Sequence, residues 1–121
     1  MVTMTDSLKQ LLVDAHNEKR DYIAGGNDAN HSPACRMATM EWDEELASIA
    51  AFNVKQCKMA HDKCRNTDAF SYSGQNLAWM GFSGPIENDS RLKQSVQMWF
   101  DEVKDSKQSI IDKYPSGYSG P

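Results

Sequence analysis

Three stretches of this chain carry apolar residues at helical spacing, while only one short run reads as a strand. That imbalance constrains the fold more than any other feature. Leu8, Leu11, Leu12 and Ala15 fall at i, i+3, i+4 and i+7, which puts them on one helix face. The spacing predicts a first helix from about Asp6 to Ala24, with Thr5 or Asp6 as N-cap and Gly25-Gly26 as its stop. A second helix is predicted after Trp42, capped by Asp43, with Glu44 and Glu45 at its positive end. Its expected buried stripe is Leu46, Ile49, Ala50, Val54 and Cys57. A third, over about Ser90 to Asp105, aligns Leu92, Val96, Trp99, Phe100 and Val103. Trp99 and Leu46 are expected in the core.

The remaining segments are less regular. Residues 25 to 37 read as a loop, where Gly, Asn, Asp, Ser and Pro follow in quick succession. His31 lies in it and is expected to be exposed. Residues 65 to 73 are polar and turn-like, Gln75 to Met80 is the one short strand, and the stretch from Tyr114 onward has turn composition. A lone strand leaves backbone donors and acceptors unpaired. One-faced helices need a layer to pack on. A sheet is implied but mostly absent, so the chain reads as the front part of a larger architecture.

Charge narrows the partners. The 17 acidic and 13 basic residues are interspersed, for a net charge of -4. No run of Lys or Arg offers a nucleic-acid face. On the first helix Lys9, Lys19 and Arg20 are countered by Asp14, Glu18 and Asp21. No apolar run approaches the ~20 residues that span a bilayer. The opening Met1-Val2-Thr3-Met4-Thr5-Asp6-Ser7 lacks the apolar core of a secretory signal. On the residues alone the chain is therefore either cytosolic or not a whole precursor.

The three cysteines, Cys35, Cys57 and Cys64, leave at least one thiol without an internal partner. If Cys57 and Cys64 share a helix, they are separated by ~10 Å along its axis. A disulfide needs Cα atoms within ~7 Å, so that pair bridges only if the helix breaks between them. One helix would also set Cys57, His61 and Cys64 at i, i+4 and i+7, and Cys35 would complete a Cys3His zinc set of a reduced cytosolic module. Small zinc modules place such ligand pairs on knuckles or hairpins, which counts against it.

Five motifs in order resemble one known family. Leu11 to Arg20, with its His16-Asn17 pair, is similar to the first-helix motif of the CAP superfamily. Met40 to Ala47 resembles the start of its second helix. Cys57-Lys58-Met59-Ala60-His61-Asp62-Lys63-Cys64 resembles the cysteine-flanked histidine of insect antigen 5 (venom allergen 5) proteins. Ser73-Gly74-Gln75-Asn76-Leu77-Ala78 is similar to the family's Gly-Glu-Asn-Leu strand, and Trp99 to Val103 to its third-helix Trp and Glu. The resemblance runs from about residue 8 to the C-terminus. It identifies residues 1–121 as part of one CAP domain, and Gly25-Gly26-Asn27-Asp28 with Gln75 points to the insect antigen 5 branch.

The resemblance implies an α+β fold, a three-layer α-β-α sandwich, of which this chain holds three helices and one or two strands. It implies an extracellular, disulfide-linked, non-enzymatic protein that binds a protein or a lipid or sterol, without a resident cofactor. Cys35, Cys57 and Cys64 would form disulfides in full-length members, Cys57 and Cys64 with a segment ahead of the first helix. The family's cleft holds two His and two Glu, which in some members bind a divalent metal. His61 matches the first His and Glu102 the second Glu, Gln75 stands in place of the first Glu, and the second His would lie beyond Pro121. Gln75 is neutral, a poor metal ligand and no general base. The competing reading, a metal-dependent hydrolase of the same family, needs the second His and an acid at position 75. His16 reads as structural, tying the first helix to its neighbours. Ser71, Ser73 and Ser83 lack a recognisable nucleophile elbow.

Overall fold

In the computed structural model, which describes residues 2–120, the two clearest capping signals act locally. The Leu8 N–H donates to Thr5 Oγ1 at 3.3 Å and opens α1 (Asp6–Ala24). The Leu46 N–H donates to Asp43 Oδ1 at 2.8 Å and opens α2 (Glu44–Lys55). Each bond satisfies one of the orphan donors of a first helical turn. α1 ends at Gly25, and Gly26 follows at φ 73, in the left-handed region that favours glycine. α3 (Asn88–Phe100) runs on into a 3-10 turn (Asp101–Asp105), and a short α4 (Gln108–Asp112) closes the order.

α1 and α3 are the helices that pack on each other. Between them lie the two apolar side chains buried among the described residues, Leu8 at 7% exposure and Val96 at 3%. Leu11, Leu12 and Ala15 on α1, and Leu92, Trp99 and Phe100 on α3, are half-buried around them. Tyr22 meets Phe100 edge-on, with ring centroids 5.9 Å apart, a favourable aromatic geometry. The expected core is corrected in one respect: Trp99 and Leu46 are half-buried, not interior.

α2 is held differently. No helix packs on it among the described residues. Polar bonds moor it and the segment before it to α1. Asn17 grips Met40 with both ends of its amide, Nδ2–H to the Met40 carbonyl at 3.0 Å and Oδ1 from the Met40 N–H at 2.7 Å. Arg20 donates to the Ala38 carbonyl from Nε at 2.9 Å and from Nη2 at 2.6 Å. Lys9 pairs with Glu44. That hydrogen bond holds the Lys9 ammonium above its ordinary pKa and the Glu44 carboxyl below its own.

Without a helix to pack on, α2 does not bury the stripe its sequence pattern suggests. Leu46 and Ile49 are half-buried, but Ala50, Val54 and Cys57 are exposed, Val54 at 56%. The residue that turns inward is Asn53, which donates from Nδ2 to the Ala60 carbonyl at 2.9 Å. The helix also stops early. Gln56 and Cys57 donate to Asn53 and Val54, three residues back, and Cys57 then takes φ 53. Tightening into i→i−3 bonds followed by a left-handed residue is a helix ending.

The expected α+β sandwich is not present. Gln75–Met80 forms no strand, and no strand occurs among the described residues. A strand is a pairing, and no second extended segment lies alongside to supply ladder bonds. The backbone of Leu77 is held instead by the Trp99 indole, whose Nε1–H donates to its carbonyl at 2.9 Å. The architecture is an α1–α3 helix pair with α2 moored to it and long irregular connections.

The loop at 25–37 holds another correction. His31 is buried, with Nδ1 2.7 Å from Asp28 Oδ2. Asp28 also accepts the Asn30 N–H at 3.0 Å, a local Asx-type bond. The hydrogen bond from His31, then that from the Asn30 backbone, holds the Asp28 carboxyl below its usual range. The Ser32 N–H donates to Gln108 Oε1 at 2.9 Å and ties the loop to α4.

Candidate functional site

Past Cys57 the chain loops back beneath the end of α2 and brings His61 and Asp62 against Gln75. His61 Nδ1 lies 3.0 Å from Gln75 Oε1, and the Asp62 backbone N–H donates to the same oxygen at 3.0 Å. Gln75 Nε2–H donates back to Asp62 Oδ2 at 3.0 Å. The Gln56 side chain, one residue past α2, donates to Asp62 Oδ1 at 3.1 Å. Arg65 braces the turn from Nη1 to the Asp62 carbonyl at 3.0 Å and from Nε to the Ser73 carbonyl at 2.9 Å. The Asn53 amide, then the Gln75 and Gln56 amides and the nearby Arg65 charge, hold the Asp62 carboxyl below the usual carboxylate range. His61 itself is exposed, while Gln75 and Asp62 are half-buried.

Two of the three cleft positions expected from sequence therefore meet, and the third does not join them. Glu102 lies on the 3-10 turn after α3, exposed, with no hydrogen bond or ion pair to His61 or Gln75. Trp99, at the end of α3, reaches the strip after Gln75 through Leu77. No group of three or more His, Cys, Asp or Glu gathers to hold a metal among the described residues. The Cys57, His61, Cys64 helix face does not exist, because α2 ends at Lys55. Cys35, Cys57 and Cys64 are free and exposed.

His16 is drawn into packing. Its Nδ1 lies 2.7 Å from the Leu12 carbonyl, one turn back on α1, and its ring centroid lies 6.0 Å from that of Trp99. An open groove of about 780 Å³ runs between α1 and α3, lined by Leu11, Asp14, Lys93 and Gln97 among others. It contains none of His61, Gln75 or Glu102. Among the described residues no helix is long and apolar enough to cross a membrane.

Sequence reasoning missed Asp62, Asn53 and Arg65. Asp62 carried one usable signal, its place directly after the candidate His61. Asn53 carried none, since it occupies a helical position flanked by apolar residues.

The model of the CAP family, the cysteine-rich secretory protein family, matches residues 13–116. The chain is 46% identical over 121 residues to venom allergen-1 of Aedes aegypti, covering 99% of this chain and 47% of that protein. It is 44% identical over 114 residues to the antigen 5 like allergen Cul n 1 of Culicoides nubeculosus, covering 94% of this chain and 52% of that one. To venom allergen 3 of Solenopsis invicta it is 38% identical over 120 residues, covering 95% and 50%. The chain thus spans about half the length of the curated relatives it matches. No solved structure matches it at a significant level.

Proposed function

The chain belongs to the cysteine-rich secretory protein family, and on that premise we propose that it serves in an extracellular, non-catalytic binding protein of the antigen 5 type. In this reading residues 8–121 form part of one family domain, and its partner is an extracellular protein or a lipid. The names of its relatives, venom allergens and an antigen 5 like allergen, support the branch and a secreted setting. They name no partner.

The observation that carries the non-catalytic reading is how Gln75 is used. Its amide oxygen is shared by His61 and the Asp62 N–H, and its amide N–H is given to the Asp62 carboxylate. A carboxylate at this position could take up a proton or a cation; an amide cannot take up a proton near neutral pH and is a poor zinc ligand. A general base must be ionisable and within reach of the proton it removes, and a zinc centre needs three or four donors. Here His61 would stand with a spent amide and an unconnected Glu102.

Calorimetric titration of the chain with zinc tests this reading. The expected result is millimolar affinity or weaker. Micromolar affinity that disappears in Glu102→Ala would overturn it in favour of a metal-dependent hydrolase. Micromolar affinity that disappears in Cys57→Ser would overturn it in favour of a thiolate zinc site.

A further inference from the structure

The hydrogen bonds around Gln75 fix more than its own position. An amide can be turned two ways, and its orientation is decided by its partners. Here both partners belong to Asp62 and each has a single role. A backbone N–H only donates, so the Gln75 atom 3.0 Å from it must be the oxygen. An ionised carboxylate only accepts, so the Gln75 atom 3.0 Å from Asp62 Oδ2 must be the nitrogen. The low pKa direction of Asp62 keeps that carboxylate ionised. Both requirements give the same orientation.

The same logic passes to His61. Its Nδ1 lies 3.0 Å from Gln75 Oε1, and an amide oxygen only accepts. The proton of the neutral ring must therefore sit on Nδ1, and Nε2 carries the bare lone pair. The ring is on an exposed residue. A free neutral imidazole prefers the opposite tautomer, with the proton on Nε2, so the arrangement works against the intrinsic preference.

We propose that Gln75 is a positioning residue: anchored at both ends of its amide by Asp62, it holds His61 as the Nδ1–H tautomer and leaves Nε2 as the hydrogen-bond acceptor of this exposed residue. Toward a hydrogen-bonding ligand, the bare Nε2 lone pair selects a donor, a hydroxyl or an N–H group, at the point where it meets His61. The ligand class rests on the binding reading above. The tautomer does not, because it is a property of the free protein.

The test is long-range proton–nitrogen NMR of the 15N-labelled chain at about pH 8.5, where ordinary imidazoles are neutral. The His61 signals are assigned by their loss in His61→Gln. The expected wild-type pattern is a protonated, pyrrole-like Nδ1 and a bare, pyridine-like Nε2. In Gln75→Met, which keeps length but removes the amide, His61 should revert toward the Nε2–H form of a free imidazole. A wild-type ring protonated on Nε2, or averaged between the two forms, overturns the proposal without any variant. Retention of the Nδ1–H pattern in Gln75→Met overturns it as well. Tight zinc binding would sink the non-catalytic reading and leave the tautomer standing, so the two failures are distinguishable.

Discussion

Val96→Ala and Val54→Ala remove the same atoms from two helices, and the structure assigns them opposite outcomes. Val96 is 3% exposed between α3 and α1, whereas Val54 is 56% exposed on α2. Val to Ala deletes two carbons, worth about 0.8 kcal/mol each when buried. A cavity that relaxes only partly adds roughly 0.5–1 kcal/mol, and the better helix propensity of Ala returns about 0.5 kcal/mol. Val96→Ala should therefore cost about 1.5–2 kcal/mol. At Val54 the small loss of burial and the propensity gain nearly cancel, leaving a change within about 0.5 kcal/mol. Urea unfolding followed by far-UV circular dichroism reads the difference. With a slope of about 1–3 kcal/mol per molar for a small protein, the Val96→Ala midpoint should fall by about 1 M while the slope stays constant. Equal losses in the two variants would refute the assignment of the core to the α1–α3 pair. A larger loss at Val54 would restore the stripe that the sequence pattern suggests for α2.

Two further perturbations probe other parts of the chain. Gly26→Ala should destabilise by about 1–2 kcal/mol, since φ 73 disfavours an L side chain and a Cβ there would sit 2.7 Å from Pro33 Cγ; an unchanged urea midpoint would contradict it. Asp28, Glu44 and Asp62 have folded pKa values below their ordinary ones, so their contributions are present above the usual carboxylate range and lost as pH falls through the folded values. Lys9 is raised, so its contribution is complete below the ordinary lysine range and lost as pH rises through the folded value. Stability should decline below about pH 5 and again above about pH 10, and Asp62→Asn should shallow the acid limb; an identical acid limb in that variant would contradict the role given to Asp62.

How far the sequence could be read depended on how far each feature reaches along the chain. The caps at Thr5 and Asp43 were legible because each bond closes within three residues. The inward faces of α1 and α3 were legible because those helices have each other to pack on, so an apolar stripe has one meaning. On α2 the same kind of stripe failed, with Val54 and Phe52 left outside and Asn53 turned inward. Periodicity reports which residues could share a face, and only a packing partner decides whether that face is buried. The strand at Gln75–Met80 failed for a related reason, since a short run read as extended says nothing about a partner for its backbone. The meeting of His61 with Gln75 came from resemblance, not from spacing. Asp62's place in it depends on a turn set by Cys57 at φ 53, and no local sequence rule announces a left-handed cysteine.

The motif residues share a physical task that the sequence did not disclose. Asn17 and Arg20, in the first-helix motif, hold the backbone of Met40 and Ala38. Trp99, in the third-helix motif, holds the backbone of Leu77. Gln75 holds the backbone of Asp62, and Arg65, directly after the third motif, holds those of Asp62 and Ser73. In each case a side chain meets a main-chain group that no helix or sheet ladder satisfies. Segments 38–40, 61–65 and 73–77 lie outside regular elements, and an unpaired backbone group is costly wherever water is excluded. With only Leu8 and Val96 buried as apolar core among the described residues, apolar packing alone cannot fix the course of such segments. Side-chain bonds to their backbone do so instead, which gives the Asn, Gln, Arg and Trp residues in and beside the motifs a structural task that the aliphatic ones cannot perform. The His61 site is one product of this arrangement: the Asp62–Gln75 clamp that secures two irregular segments also presents an imidazole in a single tautomer.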